Sequence, residues 1–312
     1  MISLIRAELI KILGKKSTKV SFIIAVVLMV LSCVFQAASE VNSQNWREDV
    51  RQQIDYALKE IEENKGTEQE DFYEELYRPD VAIGEYSLEH NIANNVVTPM
   101  KFTYNNTFAM GVWVVLLVIL AAINYADEYQ FGTIKQILTR PYKRSTILFV
   151  KQVVFIGISA VILFVQMAVS HLVGMAFFSE NGTTAITLDY VNNKVIEIDM
   201  STSLWQTYVA YVILAIILIA ISYLLITIFR TSTLPIVLTL AVWLCSGVIT
   251  MALSKYEIIR YTIFPHLKLT QYIKGNDLVL QGNTIGLSAL VLGVTFLIVE
   301  LVEYSLFKKR DI

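Results

Sequence analysis

Six stretches of this chain are apolar for the length that a helix needs to cross a bilayer. A helix rising about 1.5 Å per residue covers a hydrocarbon core of about 30 Å with about 20 residues. Residues 20–38, 107–125, 153–178, 204–229, 234–253 and 285–302 meet that requirement, and the first five contain no Asp, Glu, Lys or Arg. The sixth carries Glu300 near its end, with Glu303 just beyond. Lipid offers no hydrogen bonds, so each run must satisfy its own backbone as a helix. The bulk composition agrees: 55% of 312 residues are apolar and 17% charged, against roughly 45–50% and 25% for a soluble domain. This argues against a disordered chain and an ordinary soluble enzyme. A net charge of −2 offers no basic field for nucleic acid, and Cys33 and Cys245 lie inside apolar runs, where no disulfide framework is expected.

Orientation follows from Lys and Arg, which accumulate in short cytoplasmic segments. If the six spans alternate, one side holds 14 of the 25 basic residues: five in 1–19, five in 126–152, Arg230, and three in the tail 303–312. The other 11 are spread over much longer loops. Both termini are therefore expected in the cytoplasm. A cleavable signal peptide is the competing reading of 1–38, but the apolar run is long for a signal core.

Between the spans, residues 2–13 place Ile2, Ile5, Leu9 and Ile12 on one helical face, as in an interfacial helix that Gly14 ends. The outer segment 39–106 carries six basic and fifteen acidic residues, a net −9. Trp46, Val50, Ile54, Ala57 and Ile61 predict one helix in it. Thr67 with Glu70 reads as a capping box opening a second, with Phe72 and Leu76 on one side, ending before Pro79. The expectation is a helical hairpin whose aromatics Trp46, Tyr56, Phe72, Tyr73 and Tyr77 either form its own core or meet a cationic ligand. The loop 179–203 hints at a β-hairpin near Val191 to Met200. The segment 254–283 is too apolar for a free loop and too polar to span; a re-entrant helix pair broken at Phe264-Pro265 fits, as does a plain surface helix.

Several chemistries are missing. There is no His-Glu-x-x-His, His90, His171 and His266 are far apart, and no Asp lies in a span. Gly14-Lys15-Lys16-Ser17 lacks the first glycine and the Ser/Thr of a phosphate-binding loop. No catalytic residue, metal or cofactor is expected on this chain. The intramembrane polar residues are Glu300, Gln166 and His171, which mark either a pathway or a helix-to-helix hydrogen bond. Gly282-x-x-x-Gly286 is a weak packing motif at the start of the sixth span.

The informative loop runs from Asp127 to Arg144, followed by Lys151. It reads as a short cytoplasmic helix with acids at its start. Phe131, Ile134 and Leu138 share a face, Lys135 and Arg140 are basic, and Pro141 ends it. An apolar face in water calls for a partner.

At Glu128, Gly132, Thr133, Leu138, Thr139, Pro141, Arg144 and Lys151 the chain resembles the permease subunits of type-2 ABC exporters. Lys143 stands where a small residue is commoner. The likeness extends to the N-terminal helix, the six spans and the semi-apolar stretch before the last. It implies an all-α membrane fold in a bacterial cell membrane, and a cytoplasmic helix that couples to a separate ATP-binding subunit. The coupling residues are then Glu128, Phe131, Gly132, Thr133, Lys135, Leu138, Arg140, Pro141 and Arg144. It also implies a second permease chain, identical or paralogous, with ATP bound on the partner subunit. The expected activity is export of an antimicrobial peptide, drug or lipid-like substrate. The alternatives are sodium export, or a non-transporting sensor or immunity protein that uses the acidic outer domain.

Overall fold

The structure, a computed structural model, describes residues 2–39, 45–132, 142–179, 185–273, 280 and 282–309. Helix dominates. α1 (Ile2–Gly14) and α2 (Lys16–Ser39) are followed by α3 (Trp46–Glu63) and α4 (Glu70–His90). Then come α5 (Pro99–Asn105), α6 (Ala109–Gln130) and α7 (Arg144–Phe177). Strands β1 (Ile186–Val191) and β2 (Lys194–Asp199) precede α8 (Met200–Phe229), α9 (Thr233–Leu244), α10 (Ser246–Ala252) and α11 (Ile285–Lys309).

Five helical stretches among the described residues are long and apolar enough to cross a membrane: Thr18–Ser39, Pro99–Gln130, Arg144–Phe177, Met200–Phe229 and Ile285–Lys308. They become six if α9 and α10, which meet at Cys245 with a 49° bend, count as one span. Helix α8 is the hub. Its Leu214, Ala215, Leu218, Ile219, Tyr223 and Ile226 pack in one core with Val114, Leu117, Val118, Ala121 and Ala122 of α6, and with Val154, Phe155 and Leu163 of α7. Alanines at 121, 122 and 215 let the backbones approach, which is how apolar helices associate where lipid removes the hydrophobic drive. α2 and α11 are the least enclosed spans.

The first outer segment is a helical hairpin. Val50, Ile54 and Ala57 of α3 are buried, and Gly84 of α4 sits against them: a Cβ on Gly84 would come within 2.7 Å of Ile54 Cγ1. Three expectations for it are corrected. α4 does not end before Pro79 but runs through it to His90. A mid-helix proline forfeits one hydrogen bond, and packing on α3 carries the helix past it. Thr67 is not the N-cap: Glu70 accepts from the Gly66 N–H at 2.8 Å while Thr67 Oγ1 donates to Asn64 O at 2.7 Å, and the helix starts only at Glu70. The reading in which the aromatics form the hairpin's own core is corrected at Phe72, which is exposed.

The strand pair confirms a hairpin, but from Ile186 rather than 191. Asn192 and Asn193 (φ 50° and 60°) close it as a two-residue turn with both central residues left-handed. Asp199 then caps α8, accepting from Ser201 N at 2.9 Å. Asn94 Oδ1 accepts from Thr187 Oγ1 and Leu188 N, both at 3.0 Å, and Tyr86 OH donates to Glu197 at 3.2 Å. The two outer segments are thereby one unit. Residues 254–273 form no helix pair; short 3-10 turns at Glu257–Tyr261, Phe264–His266 and Leu269–Tyr272 replace it. His266 anchors them, with Nδ1 2.8 Å from Ser288 Oγ and Nε2 2.8 Å from Arg260 O.

Candidate functional site

α6 does not stop where its apolar run stops. It continues one turn to Gln130, so Asp127 and Glu128 lie on the last turn of a spanning helix, not at the start of a new one. Two carboxylates at the negative end of a helix dipole are unfavourable there. Lysines from two other elements answer them. Glu128 Oε1 accepts from Lys11 Nζ of α1 and from Lys151 Nζ of α7. Glu8 of α1 pairs with Lys11, and with Lys151 at 3.2 Å; Lys15 reaches Asp127 at 2.8 Å. Glu128 is 5% exposed and Lys151 3%. The second Glu128 oxygen has no hydrogen-bond partner among the described residues.

The network is an alternating square of two acids and two amines that ties α1, α6 and α7 together. A cavity of about 190 Å³ lined by Leu4, Glu8, Lys11, Ile147 and Lys151 adjoins it. Burial pushes the Glu8 carboxyl up, but Lys151 and then Lys11 outweigh that and hold it below the usual carboxylate value. Burial lowers Lys11, and the charges of Glu128 and Glu8 more than reverse it, raising its ammonium. Such mutual neutralisation makes a lock, not a proton donor.

Beyond the lock, Phe131 caps α6 and is 75% exposed. Gly132 follows with φ +67°, a left-handed turn that glycine adopts without strain. The turn is closed by Phe131 N to Asp127 O at 2.9 Å. At the far end of the loop, Arg144 Nη1 donates to Phe307 O and Lys308 O at 3.4 and 3.3 Å, capping the C-terminus of α11. Thr133, Lys135, Leu138, Thr139, Arg140 and Pro141 lie outside the described residues, and so does the helix expected there.

A second polar cluster is built on the last span. Glu303, just beyond the apolar run, is 1% exposed. Gln152 Nε2 donates to its Oε2 at 3.0 Å, and Tyr125 OH and Thr227 Oγ1 donate to its Oε1 at 3.3 and 3.4 Å. Val299, Glu303 and Phe307, four residues apart, form the buried face of α11 because the helix continues to Lys309. Glu300 is half-buried, with Oε1 unpaired among the described residues.

Gln166 and His171 are brought into a third cluster. Asn106 Nδ2 donates to Cys33 Sγ and Ser170 Oγ, both at 3.1 Å; Gln166 Nε2 donates to Ser170 Oγ at 3.2 Å; Thr103 Oγ1 is 3.3 Å from His171 Nδ1. These bonds staple α2, α5 and α7. Sequence reasoning missed Glu8, Lys11 and Gln152. A signal existed for Glu8, the one acid among residues 1–19. Tyr125 and Gln152 carry none, being unremarkable polar residues in or beside apolar runs.

Residues 83–312 match the family described as Protein of unknown function (DUF2705), and the chain belongs to that family. The match includes Glu128, Gly132, Lys151 and Glu303 and begins after α1, so Glu8 and Lys11 lie outside it. The chain is also similar to the Uncharacterized protein YhcI of Bacillus subtilis (strain 168), 29% identical over 323 residues that cover 100% of this chain and 99% of YhcI.

Proposed function

We propose that this DUF2705 protein is the membrane permease subunit of an ATP-driven exporter in a bacterial cell membrane, both termini cytoplasmic. It works with a separate ATP-binding subunit and a second permease chain. The observation that carries the reading is the buried square of Glu8, Lys11, Glu128 and Lys151 at the root of a loop that exposes Phe131. A loop that only connects spans needs neither a rigid root nor an apolar tip. A loop that receives force needs both. A push on Phe131 reaches α6 directly, and α1 and α7 through ion pairs that resist separation in a low-dielectric setting. Those helices then move as one body against α8, as a transporter requires.

An apolar cavity of about 620 Å³ supports an amphipathic or lipid-like substrate: Trp205, Ile213, Tyr272, Leu292 and Phe296 line it between α8, α11 and the 3-10 turns. Among the described residues its lining is largely aliphatic and aromatic. The test is a cysteine crosslink. With Cys33 and Cys245 replaced by serine, Phe131→Cys should crosslink in native membranes to a polypeptide that binds ATP, and Tyr56→Cys should not. Equal capture by both positions, or none by Phe131→Cys, overturns the reading.

A further inference from the structure

The face that the α3 and α4 hairpin leaves uncovered is not a polar one. Its rings form a connected ladder that crosses from one helix to the other. Phe72 meets Tyr73 edge-on at 5.6 Å, Tyr73 stacks on Tyr77 at 6.1 Å, and Tyr77 meets Tyr56 edge-on at 6.0 Å. Leu76, one turn after Phe72, extends the same stripe. Phe72 is 62% exposed and Tyr56 and Leu76 about half. Steps of about 6 Å match the 5.4 Å pitch of an α-helix laid along them.

The surroundings of the stripe are acidic. By helical register Glu75 follows Phe72 by three residues, Asp80 follows Leu76 by four and Glu60 follows Tyr56 by four. The hairpin's five cations do not cancel this, because residues 46–90 carry fourteen acids. Lys59, Lys65 and Arg78 are engaged along their own segment by Glu63, Glu62 and Glu74, Arg47 lies over the Trp46 ring, and Arg51 is the fifth. An apolar stripe in an acidic field selects its occupant by charge. Anionic lipid headgroups are repelled, and so is the same face of a second copy, whose segment carries the same net −9. A helix with an apolar face and basic flanks meets both features.

We propose that the α3 and α4 hairpin is a docking surface for a cationic amphipathic peptide, whose apolar face lies on the Phe72, Tyr73, Tyr77 and Tyr56 ladder and whose basic flanks meet Glu60, Glu75 and Asp80. The proposal stands on the hairpin alone and does not depend on transport.

The experiment titrates a fluorescent helical peptide of Leu and Lys against the full chain in zwitterionic nanodiscs. Empty discs and a Leu and Glu peptide of equal apolar content serve as references. The Leu and Lys peptide should bind the loaded discs at least tenfold more tightly than empty ones, and the acidic peptide should not. Phe72→Ser with Leu76→Ser should weaken binding about tenfold, as should Glu60→Gln with Glu75→Gln, the latter also flattening the salt dependence. Phe72, Glu75 and Leu76 are exposed and Glu60 is half-buried, and the charge pair decides the matter if the serine pair impairs folding. Equal affinity for empty discs, equal affinity for oligolysine without an apolar face, or self-association lost in the serine variant without peptide binding would each overturn the proposal.

Discussion

Glu128 and Lys151, 23 residues apart, form a buried ion pair between the last turn of α6 and the second turn of α7, on either side of the loop that the two helices carry. Neither charge faces bulk water, so each is tolerable only because opposite charges of the square surround it. Removing Lys151 leaves the carboxylates of Glu8 and Glu128 to share the one ammonium of Lys11. Lys151→Met is expected to cost about 3–5 kcal/mol in chemical denaturation of the detergent-solubilised protein. Glu128→Gln together with Lys151→Met should cost clearly less than the two single changes added, because contacting charges couple. Additive losses would show that the pair does not act as one unit.

Gly132 and Phe131 separate stability from coupling. At φ +67° a residue with a Cβ is strained by roughly 1–2 kcal/mol, and proline cannot adopt that angle at all. Phe131→Glu replaces an exposed ring, so thermal unfolding should shift little. Gly132→Pro and Phe131→Glu should both reach the membrane, and both should weaken association with the proposed ATP-binding subunit. Association undiminished in both variants would reduce the loop to a connector.

Glu303 should tolerate loss of charge better than loss of polarity. Glu303→Gln keeps an acceptor for Tyr125 and Thr227, whereas Glu303→Leu strands those hydroxyls and the Gln152 amide. Each unsatisfied buried group costs about 1–3 kcal/mol. Detergent denaturation should therefore rank parent, Gln and Leu in falling order, with Leu lower by about that amount or more. Equal stability of the two variants would contradict the packing described for α11.

The seat of α1 should depend on pH at both extremes. Glu8 is held below its ordinary value of 4.5, so its contribution is complete above 4.5 and is lost as pH falls through the lower folded value. Lys11 is raised above its ordinary 10.5, so its contribution is complete below 10.5 and is lost as pH rises beyond it. A polarity-sensitive dye attached to a cysteine at the buried Leu4 should report an apolar setting between those limits and a wetter one at strong acid, with Glu8→Gln abolishing the acid limb. Emission independent of pH would separate α1 from these ion pairs.

The apolar architecture was legible because length and lack of charge alone dictate a helix in lipid. Span ends were less so, since α6 and α11 run past their apolar residues to Gln130 and Lys309 on polar turns that other helices bury. That extension decides the roles of Glu128 and Glu303, and no local pattern reports it. Glu303 follows the apolar run, and its burial comes from a four-residue register with Val299 and Phe307. Lys11 meets Glu128, and Glu8 meets Lys151, across more than a hundred residues, pairings that no spacing rule reaches. The outer hairpin was readable from Val50, Ile54 and Ala57, but whether its aromatics form a core was not, because α4 meets α3 at Gly84 and leaves Phe72 exposed.

The central claim is that this chain passes force from an ATP-binding partner through Phe131 and the buried square. The direct measurement is ATP hydrolysis by the complex purified from native membranes and reconstituted in liposomes, with and without this chain. The account predicts that an ATP-binding polypeptide co-purifies in stoichiometric amount. Its hydrolysis should fall at least tenfold with Gly132→Pro while the amount of membrane-inserted chain stays constant. A chain that purifies without such a polypeptide, or a Gly132→Pro complex that hydrolyses ATP at the parent rate, would contradict it.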